Sequence, residues 1–324
     1  PHCQKYIYLP CCMQIFNRIY IMSWLLIAFI NPVAHAFVNH FDKYLLSRYV
    51  KESSVGALIL FSSLFGFIAL PIIFFINQNV LYAISPYQAI ILMLNGALLM
   101  VAVLLYLYAL ESHEASYVVP LFQLIPVIGF FAGFFILGEI PALNQIVACS
   151  LIVLGGTILA LEIVDRRPKF KVRLLKLMLG SSAIYALNTV IFKYIAIEYG
   201  FLESLFWDMA GKAVFGIALL VFVKKYRFDF IYLLRKHHIF VLGLNVINEI
   251  VGIVGEIALI YAALYAPVAI VQSIGGLQPL FVFIFGIAIT LILPKIGTES
   301  LLRKHMLQKM IGIGVITIGL YYLI

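Results

Sequence analysis

Residues 53–76 read SSVGALILFSSLFGFIALPIIFFI, a run of 24 residues without a charged side chain. A helix needs roughly 20 apolar residues to cross the hydrocarbon core of a bilayer, so this run is long enough for one spanning helix. The whole chain agrees, because 64% of its 324 residues are hydrophobic and 11% are charged, whereas soluble domains typically carry about 25% charged residues. The apolar runs are continuous and do not alternate as barrel strands do. We therefore predict an all-α membrane protein.

Ten apolar segments of spanning length follow one another along the chain. Charged or turn-forming residues separate them, as at Lys51–Ser54 and Asp165–Pro168. Ten transmembrane helices joined by short loops use up the sequence, so we expect no soluble domain that could hold an active site. The predicted spans are 22–46, 53–76, 87–110, 115–138, 144–163, 174–198, 203–223, 238–264, 268–292 and 306–324.

The N-terminal residues differ from the rest. The chain begins with Pro1, so we expect translation to start at Met13 or Met22 and residues 1–21 to form a tail. This tail holds three of the four cysteines, and the fourth, Cys149, lies in span five. No CxxC pair and no Cys/His ligand spacing occurs, which predicts neither a disulfide framework nor a metal site. No small-residue cleavage site follows the first apolar segment, so it is interpreted as a retained span.

Positive charges are concentrated on one side of the predicted membrane. Loops after spans one, five, seven and nine hold 18 of the 22 lysines and arginines. The positive-inside rule assigns these loops to the cytoplasm, which leaves both termini extracytoplasmic in the cell (inner) membrane. The net charge of +8 is therefore a topology signal, and we expect no nucleic acid partner. The 18 residues are Lys43, Arg48, Lys51, Arg166, Arg167, Lys169, Lys171, Arg173, Lys176, Lys224, Lys225, Arg227, Arg235, Lys236, Lys295, Arg303, Lys304 and Lys309.

The two halves of the chain resemble each other. Lys43–Tyr49 (KYLLSRY) and Lys193–Tyr199 (KYIAIEY) share a Lys-Tyr start and a final Tyr at an offset of 150 positions. Each half has five predicted spans, and an odd number places the second half in the membrane upside down. We therefore predict two inverted five-helix repeats, 22–163 and 174–324. Secondary transporters with this plan bind their substrates near the midplane between the repeats.

Two stretches of the sequence resemble the drug/metabolite transporter superfamily, in its EamA-like ten-helix branch. Lys43 and Lys193 also match that family, which places a lysine near the end of the first span of each repeat. The second repeat departs from the pattern, because Leu293-Pro294-Lys295 stands where a glutamate follows span four. The resemblance implies an exporter or importer of small metabolites that does not hydrolyse ATP. Its motifs are Ala109-Leu110, Ala115–Leu121, Pro126 and Leu137-Gly138-Glu139, and then Ala262-Ala263-Leu264, Ala266–Ile270 and Pro279.

Polar residues recur at helical spacing on single faces of the predicted spans. Span eight carries Asn245, Glu249, Gly252 and Glu256 on one stripe, and span one carries Asn31, His35, Asn39 and Asp42 on another. Ionisable residues in a bilayer are costly and usually line a cavity or pair with one another. We therefore predict a polar cavity whose substrate-binding residues are Asn31, His35, Asn95, Gln123, Asn188, Lys193, Asp208, Lys212, Asn245, Glu249, Glu256, Gln272 and Gln278.

Some of these residues have simpler structural interpretations. Asp208 and Lys212 are spaced to form an ion pair within one helix. Glu249 has no cation on its own helix, so it is expected to be protonated, to bind substrate, or to pair with Lys193 or Lys212. Glu139 lies near a span end, where we expect water to solvate it.

The leading functional hypothesis is a secondary transporter of a small metabolite, working by alternating access with a proton as a candidate coupling ion. GxxxxGK[ST], HExxH and GxSxG motifs do not occur, so we expect no enzyme activity and no cofactor. The partners expected are the small-molecule substrate and the lipid bilayer. The protein is expected to be a monomer or a homodimer. One alternative is a translocator of lipid-linked sugars or polyprenyl phosphates that uses Lys193 and Lys212. Another is a polytopic membrane enzyme.

The orientation gives a first testable prediction. A reporter active only in the cytoplasm should be silent when fused after Ile324 and active when inserted into the loop at 293–302, because positively charged loops stay in the cytoplasm. Reporter activity and full-length protein are measured together. Strong activity of the C-terminal fusion would reverse the orientation.

Overall fold

The computed structural model describes residues 9–48, 55–112, 118–160, 172–236, 238–292 and 303–323, and every regular element in these ranges is helical. The predicted all-α class is therefore confirmed. The helices are α1 (Leu9–Arg48), α2 (Val55–Leu64), α3 (Gly66–Ile76), α4 (Pro86–Ser112), α5 (Leu124–Ala132), α6 (Leu143–Ala160), α7 (Val172–Tyr199), α8 (Phe201–Phe222), α9 (Lys224–Lys236), α10 (His238–Ala263), α11 (Val268–Ile274), α12 (Gln278–Ile292) and α13 (Arg303–Leu323).

Seven helical stretches of the described chain are long and apolar enough to cross a membrane, so the protein is a multi-pass membrane protein. Three shorter apolar helices, Leu121–Leu137, Leu143–Gly155 and Met310–Tyr322, coincide with the predicted fourth, fifth and tenth spans. The total of ten spans remains a prediction. The seven are Ser23–Leu45, Val55–Ile76, Pro86–Ser112, Val172–Tyr199, Phe201–Phe222, Leu242–Ala263 and Val268–Ile289.

Several predicted features lie outside the described residues. They are the separators at 51–54, 165–168 and 294–297, the motif residues 115–117, and the charged positions Lys51, Glu114, Arg166, Arg167, Lys169, Lys171 and Lys295.

The segment after span seven was predicted as a loop, and this was wrong. Residues Lys224–Lys236 form helix α9. Tyr226, Phe230 and Leu233 recur at helical spacing and give the segment one apolar face, opposite its lysines and arginines. This face packs on α2, where the rings of Phe230 and Phe61 lie 4.9 Å apart and Tyr226 covers Gly56. Burial of this face stabilises a helix that the charge-rich composition does not suggest.

The two lysines that align in the sequence make equivalent contacts. Lys43 Nζ donates to the carbonyl oxygen of Leu110 at 3.5 Å, near the end of α4. Lys193 Nζ donates to the carbonyl oxygen of Ala266 at 2.8 Å, just after α10. The helices pack in matching pairs as well, since α1 lies along α10 and α7 lies along α4. These correspondences support the inverted repeat, which remains a prediction.

Two glycines let α4 and α8 approach each other at backbone distance. A Cβ added at Gly96 would meet the backbone of Asp208, and one added at Gly211 would meet the backbone of Met93. Any larger side chain at either position would therefore push the two helices apart. Close packing between small residues is a common way for membrane helices to associate.

Replacing Gly96 with alanine should therefore lower the thermal stability of the protein, because overpacking costs about 1–3 kcal/mol. The matched control is Gly243→Ala, since a Cβ at Gly243 meets nothing within 4 Å and alanine favours a helix over glycine by about 1 kcal/mol. Thermal unfolding in detergent checks both variants. Equal melting temperatures would argue against direct packing of α4 on α8.

Candidate functional site: a central polar cavity

A cavity of about 170 Å³ lies among the helices of both halves of the chain. Its lining comes from α1–α5, α7, α8 and α10, from the turn at Phe122 before α5, and from the junction of α11 and α12. At that junction Gly275–Leu277 form a 3₁₀ turn, and Gly275 and Gln278 line the cavity. Irregular backbone at membrane depth is tolerated where it is buried in protein or faces a polar cavity.

The two polar stripes predicted from helical spacing both face this cavity. Asn245, Glu249, Gly252 and Glu256 line it from α10. Asn31, His35, Asn39 and Asp42 line it from α1, which continues as one helix through Pro32. The side chain of Asn31 also joins the two helices, because its Nδ2 donates to the carbonyl oxygen of Gly255 at 3.1 Å.

Asp42 is held in place by hydrogen bonds from two other helices. Its Oδ1 accepts a hydrogen bond from Asn248 Nδ2 at 2.8 Å. The Tyr106 hydroxyl lies 3.3 Å from Asp42 Oδ2 and 2.9 Å from Asn39 Oδ1. This network ties α1 to α4 and α10 at one end of the cavity.

Glu249 has a simpler environment. Ser62 Oγ donates to its Oε1 at 2.5 Å, and no described lysine, arginine or histidine forms an ion pair with it. The expected partners Lys193 and Lys212 both pair elsewhere, so the interpretation of Glu249 as half of a lysine ion pair was wrong. The geometry leaves Glu249 as a cavity-lining carboxyl group held by one hydroxyl.

Lys212 is neutralised by two carboxylates. The predicted pair with Asp208 is present, with Nζ and Oδ2 3.5 Å apart, and Glu256 from α10 forms a closer ion pair with the same ammonium. Asn95 Nδ2 donates to Asp208 Oδ1 at 3.0 Å. Asn95 and Asn188 also bind each other's backbone carbonyls at 3.3 Å. This polar layer connects α4, α7, α8 and α10 at mid-depth.

A second buried ion pair lies further from the cavity. Glu139 Oε1 is 2.6 Å from Lys193 Nζ, and Glu139 Oε2 accepts a hydrogen bond from the Val268 backbone at 2.7 Å. Gly138 adopts a left-handed conformation with φ of 67° and turns the chain at this point. The expectation that water solvates Glu139 was wrong, because this turn folds its side chain onto the ends of α7 and α11.

The cavity brings together eight of the 13 predicted binding residues. These are Asn31, His35, Lys212, Asn245, Glu249, Glu256, Gln272 and Gln278. The other five do not line it. Asp208, Asn95 and Asn188 lie in the layer around Lys212, Lys193 pairs with Glu139, and Gln123 is buried beside Gly276.

Lining residues that the sequence interpretation did not select include Ser62, Asn248 and Phe122. A signal existed for two of them. Ser62 and Ser63 are the polar residues of an otherwise apolar span, and Asn248 lies three positions after Asn245 on the same helical face. Phe122 gave no signal, since phenylalanine is common throughout the chain.

The cavity lining on α2 and α4 is confined to one half of the bundle, whereas on α10 it runs from Asn245 to Leu259, four residues before that helix ends. The lining residues on α4, from Met100 to Leu107, belong to the second half of that helix, and Leu58 and Ser62 belong to the first turns of α2. These ends lie next to the connections at 49–54 and 113–117. The Glu139–Lys193 pair lies at the other face of the bundle, near the C-terminal end of α7 and the start of α11.

The described residues form a multi-pass helical membrane protein with a polar cavity between its helices. Residues 22–161 match the model of the EamA-like transporter family. The resemblance to the drug/metabolite transporters is thereby confirmed. A solved structure titled only "Crystal structure of protein" is similar in fold, with a TM-score of 0.61, 14% identity, and coverage of 93% of this chain and 96% of that one. No curated protein matches the sequence at a significant level.

The ion cluster around Lys212 gives a stability prediction. Lys212→Met should lower the free energy of unfolding by about 3–5 kcal/mol, because it leaves two buried carboxylates without their cation. Thermal unfolding in detergent measures the change. Lys224→Met is the control, since Lys224 is exposed on α9. Adding Asp208→Asn and Glu256→Gln to Lys212→Met should restore most of the loss, and a lasting deficit there would show that packing rather than charge is responsible.

Proposed function

We propose that the protein is a secondary transporter that moves a small metabolite across the cytoplasmic membrane by alternating access, with both termini outside the cytoplasm. The observation that carries this proposal is the polar cavity that lies among helices of both halves of the chain. Ionisable and amide groups placed at this depth are costly unless they face water, a substrate or one another. In transporters built from two repeats, the substrate site lies at the same depth.

The packing around the cavity supports a mechanism with two conformations. On the side away from the cavity, α4 and α8 touch through Gly96 and Gly211. In the proposed repeat the equivalent helices are α10 and α2, and these are separated by the cavity and joined by the bond between Ser62 and Glu249. If α10 and α2 came into close contact while α4 and α8 moved apart, the cavity would open on the opposite face. In this mechanism we take the conformation described here to be the one in which the cavity faces the basic loops.

The Glu139–Lys193 pair is the proposed gate at the other face. It joins the turn after α5 to α7 and, through the Val268 backbone, to the start of α11. Opening of the bundle at this end would require the pair to separate. A buried ion pair of this kind resists separation, because its separation leaves two unpaired charges in a site of low dielectric.

A proton is the candidate coupling ion. Glu249 lacks an ion-pair partner in the described part of the chain, so protonation would neutralise it without breaking another contact. Glu256 and His35 line the same cavity and are the further candidates. The direction of transport, export or import, depends on the gradient of the coupled ion and on whether substrate and ion cross the membrane in the same or in opposite directions.

The two alternatives have less support. A phosphate translocator needs a basic site, but Lys193 and Lys212 are both neutralised by carboxylates. A membrane enzyme needs a polar loop with catalytic groups. The described connections on the face of the Glu139 turn are short, at 77–85, 138–142 and 264–267.

The gate can be tested by cysteine labelling. Leu259 lines the cavity near the end of α10, so Leu259→Cys in a chain with its four native cysteines replaced by serine reports access to the cavity. Glu139→Gln should increase labelling by an impermeant maleimide from the face of the Glu139 turn, because loss of the ion pair favours the other conformation. Labelling is measured in sealed vesicles of each orientation, so that the reagent reaches one face of the protein at a time.

The matched control for this experiment is Glu198→Gln, an exposed carboxylate near the same end of α7. It should leave the labelling pattern unchanged. If Glu139→Gln also leaves labelling unchanged while the protein remains folded, the ion pair is not a gate. If Leu259→Cys is labelled from one face under every condition, alternating access is wrong.

A further inference from the structure

The charges that line the cavity are unbalanced. Asp42, Glu249 and Glu256 contribute three carboxyl groups, while Lys212 contributes one ammonium group. That ammonium is already shared between Glu256 and Asp208. Carboxylates in a low-dielectric site need a cation or a proton for stability. The cavity therefore attracts positive charge and repels anions.

The carboxyl groups differ in how they are held. Asp42 accepts hydrogen bonds from two helices and has a structural role, whereas Ser62 provides the single described hydrogen bond to Glu249. The rest of the Glu249 carboxyl group is left to interact with a cation that comes from outside the protein. Buried polar atoms without a described partner occur on neighbouring lining residues too, at Asn39 Nδ2, Asn248 Oδ1 and Gln272 Oε1.

An aromatic wall faces the same cavity. The rings of Tyr106 and Phe122 lie 5.5 Å apart, and those of Phe122 and Tyr185 lie 5.9 Å apart. Tyr185 lines the same cavity as Glu249, Glu256 and Asp42. Aromatic faces attract ammonium groups by cation–π interaction and also bury apolar groups. Carboxylates beside aromatic rings form a typical environment for an organic cation.

The volume limits the size of such a ligand. Cavities that hold drug-sized molecules measure about 300–1,000 Å³, and this one measures about 170 Å³. A compact solute with one ring or a short chain fits this space better than a large drug.

Resting on the transport function proposed above, we infer that the substrate class is a compact organic cation, whose ammonium group binds Glu249 and whose apolar body packs on Tyr106, Phe122 and Tyr185. The charge of the substrate and the aromatic contact then act together. A neutral molecule of the same shape would keep the apolar contact alone. An anion would meet the carboxylates and be excluded.

Three probes of similar size separate these cases. Phenyltrimethylammonium is the cation, tert-butylbenzene is its neutral isostere, and phenylacetate is an anion. Binding of radiolabelled phenyltrimethylammonium to the purified full-length protein is measured by equilibrium dialysis, with the other two as competitors. We expect saturable binding of the cation and weak competition by the neutral and anionic probes.

Glu249→Gln should weaken binding of the cation by at least about tenfold, because the Coulombic attraction between the quaternary ammonium and the carboxylate is lost in a site of low dielectric, while the melting temperature stays unchanged. Glu198→Gln should bind the cation as the unaltered protein does. Three results would overturn the inference: no binding of the cation at millimolar concentration, competition by phenylacetate equal to that of the cation, or full affinity in Glu249→Gln.

Flux into proteoliposomes distinguishes this inference from the transport function itself. Binding of phenyltrimethylammonium without flux would contradict the transporter and keep the cation site. Flux of a neutral or anionic solute without cation binding would keep the transporter and remove the cation site.

Discussion

An ammonium group in the middle of a hydrocarbon layer is stable where carboxylates surround it, and Lys212 has two of them. This cluster joins α8 to α10, and Asn95 extends it to α4. Because none of these side chains can face lipid at low cost, the cluster fixes which sides of the three helices turn inward. The cavity follows from that choice, since the stripe that carries Glu256 also carries Glu249 and Asn245. The apolar faces are then left to pack outward against lipid.

Much of this arrangement can be predicted from spacing in the sequence. Residues four and seven positions apart share a helical face, so Asn245, Glu249 and Glu256 group together from the sequence alone. The ion pair within α8 between Asp208 and Lys212 follows from the same rule. The cost of lipid exposure then indicates that these faces turn inward. Local periodicity and one energetic constraint therefore predict the inner lining.

The contacts between helices could not be predicted in this way. Nothing in the sequence around Glu139 indicates that Lys193, on another helix, is its partner, and its position at a span end suggested solvent instead. The same applies to the choice of Glu256 rather than Glu249 as the second partner of Lys212. Both depend on how helices cross, which is set by small residues such as Gly96 and Gly211 at their contacts. Amphipathic helix α9 was missed for a related reason, because its apolar residues gain stability from packing on α2 rather than from the length of an apolar run.

The two halves of the chain differ in the residues that follow their fourth predicted spans. In the first half Glu139 follows the fourth predicted span and pairs with Lys193, which lies near the end of the first span of the second half. In the second half the sequence after the ninth span reads Leu293-Pro294-Lys295, with no glutamate. The two halves are therefore unequal where an inverted repeat would make them equal. Under the proposed mechanism, the Glu139–Lys193 ion pair stabilises closure at one face. The sequence provides no corresponding glutamate for the other face. In that mechanism the inequality would bias the protein towards the conformation in which the cavity faces the basic loops, and the energy of a bound ligand or coupled ion would have to overcome that bias in each cycle.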